Sequence, residues 1–227
     1  MNSEVLRLEN ICKSFSGPGG VDVLKDINLT LHKGESISVQ GKSGSGKSTL
    51  LYIASLIEKP SSGSVFYSGT DVTGFSDSRL SSLRRDKMGF VFQHSLLLED
   101  FSALENTALP LLNRGVKKRS AFEKASMLLD RLGLGERLHH RPAELSGGER
   151  QRTAIARAVI TSPDIIFADE PTGSLDEESA SMIEDLLFSL VQDNGLSMIL
   201  VTHNPQFAIK AEHHYMLTHK ELVPYEE

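Results

Sequence analysis

The 227-residue chain is 39% apolar and 24% charged, a balance that sustains a packed core and excludes a disordered or fibrous protein. A formal charge of −6 leaves no basic field to hold a polyanion by counterion release, so nucleic acid is not an expected partner. The lone cysteine, Cys12, excludes an internal disulfide; in an alternating apolar stretch it reads as a buried strand residue of a protein in a reduced, cytosolic compartment.

The start, Met1 to Glu9, lacks the basic-then-apolar pattern of a secretory signal, and no apolar run approaches the ~18 residues that cross a bilayer. Val5 to Cys12 and Val21 to Leu31 alternate apolar and polar side chains around Ser16-Gly17-Pro18-Gly19-Gly20, which predicts an antiparallel β-layer joined by a turn. Ile37-Ser38-Val39 then reads as a short strand feeding a Gly-rich loop, and Ser48 to Ile57 has helical spacing. A strand pair is expected around Ser64 to Ser68, and a buried strand over Met88 to Phe92, ending at Gln93.

Strand character then disappears. Ala103 to Leu112 and Ser120 to Leu132 are leucine-rich helical patterns, so residues 93–141 are expected to form an inserted helical subdomain. The α/β pattern resumes with a helix from Gly147 to about Thr161, the strand Ile165 to Ala168, a helix near Glu178 to Gln192 and the strand Ser197 to Thr202. Alternating helices and short continuous apolar strands imply a mostly parallel, doubly covered α/β sheet. The tail beyond Asn204 gives no signal.

Gly41-Lys42-Ser43-Gly44-Ser45-Gly46-Lys47-Ser48-Thr49 matches the P-loop pattern G-x-x-x-x-G-K-[ST], with a predicted strand before it and a helix after it. Glycines let successive amides turn inward, the helix terminus adds partial positive charge, and Lys47 reaches the β- and γ-phosphates. The chemistry is that of a triphosphate site, with the Ser48 hydroxyl placed for Mg²⁺. The strand Ile165 to Ala168 delivers Asp169 as a second Mg²⁺ ligand at the end of the sheet where open α/β folds hold ligands. Glu170 then becomes the candidate to orient or deprotonate the attacking water, just before Pro171 ends regular pairing.

Leu145-Ser146-Gly147-Gly148-Glu149-Arg150-Gln151-Arg152 reads as a helix start with Ser146 as N-cap and Glu149 completing a capping box, its two glycines leaving first-turn amides bare for an anion. Placed shortly before the Asp-Glu strand, this segment resembles the L-S-G-G-Q motif that distinguishes the ABC (ATP-binding cassette) ATPase family. The resemblance runs from about Leu6 to His203, with the motifs in the family's order. It implies a P-loop NTPase fold of the ABC type over residues 1–227: a mostly parallel core with an antiparallel β-subdomain (5–92 and 142–227) and the helical insert (93–141).

The same resemblance implies that Ser146, Gly147, Gly148 and Glu149 grip the γ-phosphate of ATP held by a second copy, so that a homodimer sandwiches two nucleotides. Glu149 stands where the family's commonest form has Gln, and its charge calls for compensation, expected from Arg150 or Arg152. By the same likeness Phe15 stacks on adenine, Gln93 touches Mg²⁺ or the attacking water, Asp176 of Ser174-Leu175-Asp176 belongs to the loop crossing between sites, and His203 is the switch histidine at the γ-phosphate. Read alone, Phe15 would be a core residue, Asp176 a helix cap and His203 a structural histidine.

The resemblance implies a cassette that, with no spanning segment, drives a separate membrane permease from the cytoplasmic face of the inner membrane, with the region Gln93 to Arg141 facing the permease. Leu98 to Leu112 and Ala168 to Asp176 resemble cassettes of lipoprotein-releasing systems, and also suit macrolide- or peptide-exporting and cell-division cassettes. A soluble ABC ATPase acting on DNA or ribosomes fits the acidic balance and short insert less well. A small-molecule kinase would leave Leu145 to Glu149 and His203 unexplained. The pairs His139-His140 and His213-His214 invite a metal reading, but adjacent residues point to different faces.

Overall fold

The computed structural model describes residues 3–16 and 20–225; the predicted turn at Gly17-Pro18-Gly19 lies outside the described residues. The chain forms two compact units, one from the segment up to Arg84 together with the chain from Phe188 onward, the other spanning Arg85–Leu187.

In the first unit β1 (Glu4–Phe15) pairs antiparallel with β2 (Val21–His32), setting Leu8 opposite Leu29 and Ile11 opposite Ile27. The alternation sends Leu6 and Leu8 into the core, and a register shift between Leu8 and Ile11 brings Ile11 there too. Cys12 lies in this strand as expected but is half-buried, its Sγ accepting from the Asp26 amide at 3.3 Å. Strand β3 (Ser36–Gln40) is buried at all five positions and leads into α1 (Lys47–Ala54). Strand β4 (Ser62–Tyr67) adds to the other edge of β1, Val65 opposite Leu8, and is extended by the two-residue β5 (Thr70–Asp71). Helix α2 (Asp77–Lys87) was not anticipated, for a physical reason: it buries only Leu80, so its sequence carries no apolar stripe.

The second unit opens with β6 (Met88–Phe92), after which no strand occurs until the chain has passed the helices, as expected. Helix α3 (Ala103–Asn113) starts at a capping box in which Ser102 and Glu105 satisfy each other's amides, and α4 (Lys118–Arg131) follows. Both pack on α5 (Gly147–Val159) through Ala103, Leu104, Ala108, Leu111, Ala125, Leu129 and Ala156. Each fully buried leucine there contributes about 1.5–3 kcal/mol before its ordering entropy. The parallel partner of β6 is β7 (Ile165–Asp169), wholly buried, and α6 (Glu177–Asn194) comes next.

Back in the first unit, β8 (Ser197–Val201) runs parallel to β3. The sequence-silent tail then supplies a short α7 (Pro205–Ala208), β9 (His213–Thr218), parallel to β3 on its other side, and β10 (Glu221–Pro224), antiparallel to β9. Phe188 and Phe207 meet edge to face at 5.9 Å. Among the described residues no helix is long and apolar enough to cross a membrane.

Candidate active site

The predicted site residues fall into two clusters, one in each unit. In the first, β3 ends at Gln40 and the chain bends at Gly41, where a Cβ would lie 2.7 Å from both Leu217 O and Ser45 Oγ. Only glycine fits that approach. Helix α1 has Gly46 as its N-cap, at φ 104°, with no side-chain cap and no acidic residue in its first turn, so its leading amides are offered outward. Lys47 is buried and folds its Nζ back onto the loop, donating to Gly41 O at 2.9 Å and Lys42 O at 3.2 Å.

Ser45 Oγ is buried with no hydrogen-bond partner. Bare amides, a tethered ammonium and an orphaned hydroxyl together fit a phosphate chain. Val39 pairs with Val201 across β3 and β8, so Gly41 and His203 leave the sheet at the same level, and His203 is exposed. Phe15 ends β1 at 45% exposure, with Lys13 Nζ over its ring at 4.8 Å; it is a presented aromatic face rather than a core residue.

In the second unit Phe92 pairs with Asp169, so Gln93 and Glu170 emerge side by side from adjacent parallel strands. Asp169 is buried, and Glu170 has φ 48°, a left-handed conformation that is costly for a glutamate and more so before Pro171. Such backbone persists only where the surroundings hold it. The Gln93 side chain packs against Gly173, where a Cβ would sit 3.0 Å from its Nε2, and the Ser174 hydroxyl donates to Gln93 O at 2.9 Å.

Ser146 and Glu149 form the expected capping box: Ser146 N donates to Glu149 Oε2 at 2.8 Å and Glu149 N to Ser146 Oγ at 3.2 Å. The compensating cation is neither of the expected arginines. Arg150 donates instead to Leu145 O at 2.5 Å, and Arg152 Nε is buried without a partner, whereas Arg137 Nε reaches Glu149 Oε1 at 2.8 Å. The Ser146 amide, with the Arg137 guanidinium and the Ser146 hydroxyl, holds the Glu149 carboxyl below the usual carboxylate range against the opposing effect of burial. Twelve residues and a loop separate Arg137 from Glu149, so no local pattern announced the pair. Gly148 approaches Ser179, which in turn donates from its amide and hydroxyl to Asp176, both at 2.9 Å. These bonds, the amide first, keep the Asp176 carboxyl low. Asp176 is thus a cap, as its isolated reading had it, and it lies close to Gly148 through Ser179.

His213 and His214 do point apart. His214 Nδ1 faces Ala208 O at 3.1 Å and Ser38 Oγ at 3.3 Å, while His213 turns to Glu35 at 3.8 Å. Glu35, Glu212 and His213 gather ligand-type atoms within 4.8 Å, but the Glu35 oxygen already accepts from the His32 amide and faces its Nδ1 at 2.9 Å. The group is a histidine–carboxylate cluster whose Glu35 oxygen is already engaged by His32.

A strand-fed phosphate loop together with a capped glycine pair ahead of an Asp-Glu strand defines a nucleotide-hydrolysing cassette, and the comparisons agree. The ABC transporter family profile matches residues 24–173. The chain belongs to the ABC transporter family and is an ATP-binding, ATP-hydrolysing cassette of the α/β P-loop fold. It is 47% identical over 207 residues to the lipoprotein-releasing system ATP-binding protein LolD of Geobacter metallireducens, covering 91% of this chain and 92% of that one. It is 46% identical over 220 residues to LolD of Rickettsia felis, covering 96% and 97%. Among solved structures it superimposes with a TM-score of 0.89 on the dimeric post-hydrolysis state of the ATP-binding cassette MJ0796 bound to ADP and Pi, at 35% identity over 98% of this chain and 99% of that one.

Proposed function

We propose that two copies of this chain close around two ATP molecules and drive a separate membrane permease that releases lipoproteins, from the cytoplasmic face of the inner membrane. The observation that carries the hydrolytic part is the register of β6 and β7, which brings Gln93 and Glu170 out of the sheet together. Similarity to LolD cassettes along nearly the whole chain supports the cargo; macrolide- or peptide-exporting and cell-division cassettes share the motifs and remain the second reading.

In this scheme the amides of Gly41, Lys42, Ser43, Gly44, Ser45 and Gly46, with Lys47 and Thr49, cradle the phosphates, and Phe15 stacks on adenine. Ser48, Asp169 and Gln93 are the residues that would hold Mg²⁺, whose charge would offset that of the phosphates. Glu170 orients a water and takes its proton as oxygen attacks the γ-phosphorus and the bond to ADP breaks, while His203 steadies the γ-phosphate. Ser146, Gly147, Gly148, Glu149 and Asp176 of the second copy complete the enclosure. Contacts made only with ATP favour the closed pair, and their loss on hydrolysis reopens it.

Glu170→Gln keeps the cradle but loses the base. It is expected to bind ATP and sediment as a dimer in its presence, with turnover lowered at least about a hundredfold. Turnover at the level of the unmodified chain would refute the assignment. Co-purification with an integral membrane protein carrying a large extracytoplasmic domain tests the transport reading, and a cassette recovered only with ribosomes or DNA would replace it.

A further inference from the structure

Helix α5 does more than present Ser146. Gln151, one turn into it, is 2% exposed, and its Nε2 donates to two backbone carbonyls at once, Phe92 O at 2.9 Å and Pro171 O at 2.8 Å. Phe92 is the residue before Gln93, and Pro171 the residue after Glu170. A primary amide has two N–H donors, and here each is spent on a peptide flanking one of the two groups assigned to the attacking water. Withdrawing them would leave two carbonyls, one of them fully buried, without this donor, at a cost of about 1–3 kcal/mol for a buried group left unsatisfied. The same helix also supplies Arg157, which donates to Ser95 O at 2.8 Å and Leu96 O at 2.7 Å, so the loop after Gln93 is held along its length from α5. Glu170 sits in a left-handed conformation that needs such outside support, and the Pro171 tether is the support next to it.

We infer that Gln151 is a positioning residue for ATP hydrolysis: one buried amide fixes the separation of the Gln93 loop from Glu170 and ties both to the helix whose first turn carries Ser146. The inference rests on the role given above to Glu170.

Steady-state ATP hydrolysis by the full chain tests it, using Gln151→Met, which keeps the volume and removes both donors, and Gln151→Glu, which keeps the shape and reverses the polarity. Gln151→Met is expected to lower kcat about tenfold to a hundredfold, as a misplaced reacting group does, with KM for ATP within about threefold because the phosphate loop is untouched. In Gln151→Glu the new carboxyl faces two carbonyl oxygens in a buried site, which raises its pKa, and on taking a proton its O–H restores one donor. Its rate relative to the unmodified chain should therefore rise several-fold from about pH 8 to about pH 6, with thermal midpoints measured at each pH, while the Gln151→Met ratio stays flat.

Unchanged kcat per folded molecule in Gln151→Met, or a Gln151→Glu deficit that tracks its midpoint and ignores pH, would overturn the inference. Should Gln151→Met not fold, the pH profile of Gln151→Glu decides alone. Glu170→Gln measured alongside separates the two levels: if it hydrolyses normally, the assignment of Glu170 fails. If it is inactive while Gln151→Met is normal, only the role of Gln151 fails.

Discussion

Two helix starts in this chain face opposite problems. Helix α1 begins at Gly46 with no side chain to cap it and no acid in its first turn, whereas α5 begins at Ser146 with a complete capping box closed by Glu149. An uncapped start leaves several amides needing partners, and the one beside Lys47, with a cation and no acid at hand, favours an anion in that role. The start at Ser146 is already satisfied by its own chain. It needs no ligand for that, and its remaining capacity lies in the Gly147 and Gly148 amides. In the function proposed above, the first is the chain's own phosphate site, and the second becomes one when a second molecule brings a phosphate to it.

The sharpest way to break that contrast is to remove the cation from the first site. Lys47→Ala leaves α1 intact but deletes the ammonium that bonds Gly41 O and Lys42 O, and is expected to weaken ATP binding about tenfold to a hundredfold, since a charge-assisted bond is worth about 1.5–3 kcal/mol. Titration with a fluorescent ATP analogue reads this directly. Retained affinity would mean the amides alone hold the phosphates.

Ser146→Arg tests the other side. A bulky cation at the N-cap blocks approach of a second molecule, while the phosphate loop is unchanged, so nucleotide affinity of the monomer should stay within about threefold and only the ATP-dependent rise in sedimentation should vanish. If dimerisation with ATP survives, α5 is not the surface that meets the partner's nucleotide.

The same contrast explains what the sequence disclosed. The loop from Gly41 to Thr49 is legible because one helix turn and its preceding strand hold every group it uses, and the capping box at Ser146 because its two members are three residues apart. Strands β7 and β8 are buried throughout and carry four apolar residues in a row, a signal that survives any partner, whereas the equally buried β3 alternates serine with Ile37 and Val39 and is legible chiefly from the loop it feeds. Helix α2 escaped because an element that buries one leucine has no pattern to show, and β9 because its first residues are histidines whose neighbours Glu35 and Ser38 lie far away in sequence. Arg137 and the clamp by Gln151 were unreadable for the same reason. Their partners are set by packing, and in the sequence Gln151 is one more polar residue on a polar helix.

The smallest expected effect concerns Glu149, whose carboxylate makes the capped helix start also an acid-sensitive one. Its carboxyl is held below the usual range, chiefly by the Ser146 amide and then by Arg137, so in the folded chain it gives up its proton more readily than when unfolded. Stability from this group is therefore fully present above the unfolded value, about pH 4.3, and is lost as pH falls through the folded one. Glu149→Gln keeps a capping-box residue at the same position and removes the charge, so it should cost only about 0.5 kcal/mol at neutral pH, the scale of a partly exposed ion pair. Glu58, Asp86, Glu105 and Asp176 are also held low but titrate in both proteins, so the difference between the two unfolding curves isolates Glu149. That difference should shrink from neutral pH toward about pH 3, measured by urea denaturation at each pH. A gap that stays constant would show that the carboxylate's charge contributes nothing and that Ser146 caps the helix unaided.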